Sequence, residues 1–157
     1  MKQIENKTID NEEGVFNKSI KYKTLVQFND QTVQPADYFP NWVNNLADDV
    51  TLEGSLLNGF VQGPEAVRSI VFCIRKIYDR QEVTFAGYYS ENIFLENYTG
   101  WFRGTSVGCL VVVARNAARQ AQHIAVGYRP LNALKLLSRL VAEQLASTPY
   151  GEHFAGK

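Results

Sequence analysis

Glu53 and His123 are the side chains of this sequence best suited to moving protons. A carboxylate becomes a general base when desolvation lifts its pKa toward the working pH. An imidazole titrates near neutrality without such help. Glu53 closes a short strand pattern, Val50–Glu53, and His123 falls inside a strand pattern over 120–129. The plainer reading of Glu53 is an exposed carboxylate at a strand end, because Glu is seldom buried without a partner. His123 is in phase with Ala125 and Gly127 and out of phase with Ile124, Val126 and Tyr128. If the latter three face inward, His123 faces outward.

The two cysteines, Cys73 and Cys109, fit neither a metal-ligand spacing nor a disulfide framework. Neither has a nearby His–Asp pattern to activate it, so both read as buried, reduced thiols rather than nucleophiles. Aromatic residues make up 12% of the chain. Tyr38, Trp42, Phe60, Tyr88, Trp101 and Tyr128, with Leu110 as an apolar neighbour, are the candidate walls of a ligand cavity. A tyrosine hydroxyl there would orient a ligand. Arg103, Arg115, Arg119 and Arg129 could meet an acidic ligand, but solvated surface arginines of little energetic weight are the plainer reading.

These residues need elements to position them. Residues 1–18 read as a loose polar arm. Over Ile20–Phe28 the chain alternates with β-branched and aromatic residues, the pattern of a strand or an extended arm. Tyr38, Phe39, Trp42, Val43 and Leu46 fall on one helical stripe, with Asp37 as its cap. Gly54–Gly63 is a loop or hairpin, and Pro64 opens a second helix whose stripe is Val67, Ile70, Val71, Ile74, Ile77 and Tyr78. Strands are expected over 82–89, 92–102, 105–115 and 120–129, with breaks short enough for antiparallel hairpins. A last helix runs from Pro130 to about Ser147 on Leu131, Leu134, Leu137, Leu140, Val141 and Leu145, and a frayed tail follows Pro149.

Length and charge narrow the class. One core suits 157 residues, 45% of them hydrophobic and 20% charged. The formal net charge is zero, which argues against a nucleic-acid binder that relies on overall positive charge. Residues 1–96 carry a net −5 and residues 97–157 a net +5. That split could steer an anion or pair two subunits, although an accidental surface bias is the plainer reading. No apolar run approaches a membrane span, and Met1–Gly14 is too polar for a secretory signal. The expected location is the cytoplasm.

Three strings bring a family into view: Leu46-Ala47-Asp48-Asp49-Val50-Thr51-Leu52-Glu53-Gly54, Gly63-Pro64-Glu65-Ala66-Val67-Arg68 and Val126-Gly127-Tyr128-Arg129-Pro130-Leu131. With the order of elements, they resemble the nuclear transport factor 2-like superfamily, which includes ketosteroid isomerases and SnoaL-like cyclases. The resemblance spans roughly 35–146 and implies an α+β fold. A curved antiparallel or mixed sheet wraps the helices into a cystatin-like cone with an internal cavity. The single domain is expected over 19–148, with 149–157 as a tail. The resemblance also implies a homodimer through the outer sheet face. Val107, Cys109, Val111 and Val113 would share one face of a late strand, and Ser106, Gly108, Leu110 and Val112 the other.

Function is less defined than fold. The position matching the isomerases' catalytic carboxylate is Gly54, and the late strand matching their acid, Val107–Val113, offers no polar group beyond Cys109. No Asp or Glu lies between Glu96 and Glu143. The leading expectation is therefore a small-molecule-binding protein without the usual carboxylates, holding an apolar or weakly acidic ligand. It needs no cofactor or metal and contacts neither nucleic acid nor membrane. An isomerase, cyclase or dehydratase using Glu53, His123 or a tyrosine is the alternative, and a protein-interaction module is a second one.

Overall fold

The computed structural model describes residues 40–154. The expected N-terminal arm, the Ile20–Phe28 strand, the Asp37 cap and the candidate wall residue Tyr38 lie outside those residues. A 3-10 turn, Asn41–Asn44, leads into strand β1, Leu46–Gly54. Strand β2, Phe60–Gln62, returns antiparallel, pairing Leu52 with Val61. Helix α1 is Pro64–Ile77. Then come β3 (Arg80–Ser90), β4 (Ile93–Phe102), β5 (Thr105–Arg115) and β6 (Ala121–Arg129). Helix α2, Leu131–Gln144, and a second 3-10 turn, Gly151–His153, complete the chain.

The six strands form one open, curved, mixed sheet in the order β2-β1-β6-β5-β4-β3. All neighbours are antiparallel except β1 and β6, which run parallel and place Thr51 beside His123 and Gly54 beside Val126. The four late strands and both long helices fall within a few residues of their sequence expectation. The described part of the first expected helix is a correction: Trp42 and Val43 sit on the 3-10 turn Asn41–Asn44, and Leu46 begins a strand, while Phe39, like Tyr38, lies outside the described residues. Backbone pairing decides this. Ala121 N–H donates to Asn45 O at 2.8 Å, and Asn45 Nδ2 donates to Arg119 O at 3.1 Å, so the β6 entrance captures the chain before a helix can propagate. A second correction concerns the end. Residues 150–154 are held, because Phe154 is buried and His153 O accepts from Asn58 N–H at 2.7 Å, while 155–157 lie outside the described residues.

The core lies between the concave sheet face and the two helices. From α1 it receives Val67, Ile70, Cys73 and Ile74, and from α2 Ala133, Leu137, Leu140 and Val141. Leu131 is 64% exposed, so it falls outside the helix stripe expected for it. On β5, Val107, Cys109, Val111 and Val113 face the core, while Ser106 and Leu110 face out.

Cross-strand register sets the inner face in rows. Phe94, Val113, Ile124 and Leu52 make one row across β4, β5, β6 and β1. Ala86, Glu96, Val111 and Val126 make the next. Tyr98, Cys109 and Tyr128 make the third. Polar side chains thus enter an otherwise apolar wall in two adjacent rows.

Candidate functional site

Those two rows form the floor of a cavity of about 60 Å³ between the sheet and α1. Leu52, Leu56, Leu57, Ile70, Ile74, Val111 and Val126 supply most of its apolar wall. Pro40, Trp42, Val71 and Arg75, which are only partly buried, mark its more exposed side. The polar groups that converge on it are Gln81, Glu96 and the hydroxyls of Tyr78, Tyr98 and Tyr128. An apolar pocket with a few convergent polar groups is the general form of a small-molecule site. This one is small beside the roughly 300 Å³ at which ordinary ligand pockets begin.

Local structure positions each hydroxyl. Tyr78 follows the last turn of α1, and its ring lies against β4 at Gly100, whose missing side chain makes room for it. Tyr98 comes from β4 and Tyr128 from β6, two strands away with Cys109 between them. The Tyr78 and Tyr98 oxygens are 3.3 Å apart, and those of Tyr98 and Tyr128 are 3.4 Å apart. The Tyr128 backbone N–H donates to Ser55 Oγ at 2.7 Å, which ties β6 to the loop after β1.

Burial governs the electrostatics. It pushes all three tyrosine hydroxyls well above their ordinary range, so they remain neutral donors at physiological pH. The Cys109 thiol is pushed up to about 12, chiefly by burial and against the pull of its hydrogen bonds from Tyr98 and Tyr128. That state is the opposite of an activated nucleophile. Burial also lowers the pKa of Arg75, opposed by Tyr78 and Tyr98.

Glu96 is the residue that sequence reasoning missed. It is 1% exposed, on β4, in the cavity wall. Its signal was present in the phase of β4, since Glu96 alternates with Phe94, Tyr98, Gly100 and Phe102, the inward set. The late stretch without acids therefore begins one residue after a carboxylate that lies inside the cone.

The expected wall residues divide. Trp42 and Tyr128 line the cavity. Phe60, Tyr88, Trp101 and Leu110 do not, and each exclusion has a physical reason. Phe60 sits on the edge strand β2 and is 58% exposed. Leu110 is out of phase with Cys109 and faces outward. Trp101, out of phase with Gly100, stacks under the Arg80 guanidinium at 3.8 Å. Tyr88 holds Arg115, whose guanidinium carbon is 4.3 Å above its ring and whose Nη1 donates to its hydroxyl at 3.3 Å.

Glu53 and His123 meet, but on the outer face. His123 Nε2 lies 3.1 Å from Glu53 Oε1, and Nδ1 lies 2.7 Å from Thr51 Oγ1. Their side chains are 52% and 46% exposed. The hydroxyl, imidazole and carboxylate lie in sequence, yet no wall encloses them. Arg129 is also on the outer face. Its guanidinium covers Gly108 and donates from Nη2 to Asn97 Oδ1 at 2.7 Å. Both cysteines are buried and free. Among the described residues, no group of three or more His, Cys, Asp and Glu could hold a metal ion, and no helix is long and apolar enough to cross a membrane.

No protein-family model matches the chain, and no curated protein matches it in sequence. Solved structures do match. An uncharacterised protein with a cystatin-like fold from Silicibacter pomeroyi DSS-3 is similar at a TM-score of 0.63 and 11% identity, over 68% of this chain and 74% of that one. A steroid delta-isomerase from Pseudomonas aeruginosa is similar at 0.62 and 11% identity, over 89% of this chain and 90% of that one. A de novo designed protein with a curved β-sheet is similar at 0.51 and 18% identity, over 83% of this chain and 97% of that one. At these identities the likeness is one of fold. The chain has the cystatin-like α+β cone fold that its resemblance to the nuclear transport factor 2-like superfamily implied.

Proposed function

We propose that the protein binds a small, largely apolar molecule in the cone cavity. The observation that carries this reading is the convergence of Glu96, Gln81 and three tyrosine hydroxyls on a pocket otherwise walled by aliphatic side chains. The volume favours a compact ligand or one end of a longer one. The test is native mass spectrometry of the purified protein, followed by extraction of anything bound. A defined small molecule of stoichiometric amount supports the reading. No bound molecule, together with no thermal stabilisation by a panel of small apolar compounds, refutes it.

A second reading, proton-transfer catalysis, is favoured by one observation: the buried Glu96 carboxyl in the cavity wall. Apolar burial tends to keep a carboxyl neutral, and nearby donors or cations tend to keep it charged. A carboxyl at a cavity wall is placed where a bound molecule could give it a proton or take one. Catalysis through Glu53 or His123 loses its support, because neither reaches the cavity. Hydrogen–deuterium exchange at carbons next to the carbonyl of small ketones, abolished by Glu96→Gln, would support catalysis. Equal exchange with both proteins would remove it.

The homodimer belongs with these proposals. Its support is the outer sheet face, where the exposed Leu110 adjoins the half-buried Leu95, Val112 and Ala125. Sedimentation of the wild type as a dimer and of Leu110→Glu as a monomer is the expected pair of results. A wild-type monomer overturns the proposal. A dimer of this kind would cover the surface that a protein-interaction module would need.

A further inference from the structure

We infer that residues 150–154 form a clasp that positions one wall of the cavity, so that residues outside the ligand site set how tightly it closes on a ligand. This deepens the binding reading and rests on it. Leu56 and Leu57 belong to that wall, and both are buried, although their neighbours Ser55, Asn58 and Gly59 are exposed. A loop between two strands has no ladder of its own. Its two inward leucines keep their place only where other parts of the chain hold the loop backbone.

The start of the loop is tied to the sheet and to α2. Ser55 N–H donates to Val126 O at 3.1 Å, and Ser55 Oγ accepts from Tyr128 N–H at 2.7 Å. Leu56 O accepts from Ser138 Oγ at 3.1 Å. From Leu57 to the start of β2, the only hydrogen bond to a distant part of the chain among the described residues is that from Asn58 N–H to His153 O, at 2.7 Å. His153 is held in turn by its own neighbours. Its N–H donates to Tyr150 O at 3.2 Å, and Phe154, the next residue, is buried in the core. A Cβ on Gly151 would lie 2.7 Å from Leu145 O, so the 3-10 turn Gly151–His153 sits directly on the C-terminal end of α2. Neither Gly151 nor Phe154 lines the cavity. They are positioning residues, which act on the ligand site through Asn58 and the leucines beside it.

The test uses 15N-labelled full-length protein and its Phe154→Ala, Gly151→Ala and Val113→Ala variants. Val113 is a core residue of β5 that neither lines the cavity nor belongs to the clasp, so its variant reports what loss of stability alone does. Gly151→Ala displaces the turn without emptying the core, so the test stands even where Phe154→Ala does not fold. Nuclear magnetic resonance reads both amide hydrogen exchange and the affinity for toluene, by titration. The two clasp variants are expected to speed exchange at Asn58 about tenfold relative to Val113→Ala, an opening confined to the loop. They are expected to weaken toluene about fivefold, the contact of part of one leucine, whereas Val113→Ala stays within about twofold of the wild type. Unchanged Asn58 exchange or unchanged toluene affinity in folded Gly151→Ala, or an equal loss of affinity in Val113→Ala, overturns the inference and leaves the binding reading intact. Failure of toluene to bind the wild type overturns the binding reading, and the inference with it.

Discussion

The ring of Tyr78 rests on Gly100: a Cβ built there would lie 2.8 Å from Cε1 and Cζ of the tyrosine. The glycine is thus the seat of the aromatic ring that carries one of the three cavity hydroxyls. Gly100→Ala must either push the ring away or bend β4. Overpacking of this kind costs about 1–3 kcal/mol, to be read as a lower urea midpoint. The displaced ring also breaks the 3.3 Å contact between the Tyr78 and Tyr98 oxygens. Near-ultraviolet tyrosine absorption should therefore change in the folded variant.

Glu96 is expected to matter for stability whether or not it acts on a ligand. Its carboxyl is buried, and truncation leaves both a void and neighbouring polar groups without their partner. Glu96→Ala should lose at least about 2 kcal/mol in urea unfolding, within the range for a buried polar group stripped from its surroundings. Glu96→Gln keeps the shape and some of the hydrogen bonding, so its loss should be the smaller of the two. If Ala and Gln are equally mild, the cavity floor does not depend on this side chain.

The buried hydroxyls and thiols predict alkaline sensitivity. Free Cys and Tyr titrate at 9.0 and 10.0, whereas folded Cys109 is pushed up to about 12 and Tyr78, Tyr98 and Tyr128 are all raised. Above pH 9 the unfolded chain therefore holds fewer protons than the folded one, and stability falls as pH rises. Below pH 9 the contribution is complete. Each such group adds a slope of about 1.4 kcal/mol per pH unit between its unfolded and folded pKa. Unfolding free energies should decline from pH 9 and more steeply from pH 10, where the tyrosines join. Cys109→Ala should flatten the first part of that decline, with Cys73, also raised by burial, accounting for some of what is left.

Glu53 and His123 are expected to be nearly silent. Exposed ion pairs contribute about 0–1 kcal/mol, reduced further by salt. Glu53→Gln and His123→Ala should each shift unfolding by less than about 1 kcal/mol. Neither should change the affinity of a molecule bound in the cavity, because both side chains lie on the opposite face of the sheet. A marked loss of cavity binding in either variant would contradict that placement.

The contrast between Glu53 and Glu96 explains what the sequence could convey. Alternation along 105–115 and 120–129 assigns the faces of β5 and β6, so the inward Cys109 and Tyr128 and the outward His123 were legible. Period-two reasoning is local and survives folding intact. Glu96 was legible by the same rule, but a carboxylate inside an apolar row runs against the usual burial preference and was passed over. Trp101 went the other way, since aromatic character alone does not set a face, whereas Tyr88 shares the inward phase of Ala86 but packs against Phe94 away from the cavity lining. The turn at Trp42 was not legible, because its extent depends on Asn45 and Ala121, residues far apart in sequence, meeting at the start of the sheet.

Gly54 supplies the last prediction, from the close approach of β1 to β6. A Cβ there would lie 2.1 Å from Val126 O and 2.5 Å from Val126 Cγ2. Real Cβ atoms do not approach a carbonyl oxygen so closely, and the obstacle is backbone within a paired strand, which cannot rotate aside. Gly54→Ala should therefore part β1 from β6 locally and cost more than about 3 kcal/mol, at or beyond the upper end of ordinary overpacking. Gly54→Asp should fare no better, because it adds the same Cβ and a larger side chain beyond it. Thermal unfolding of both variants reads this directly. If Gly54→Asp folds with near wild-type stability, β1 and β6 have room that the 2.1 Å approach denies.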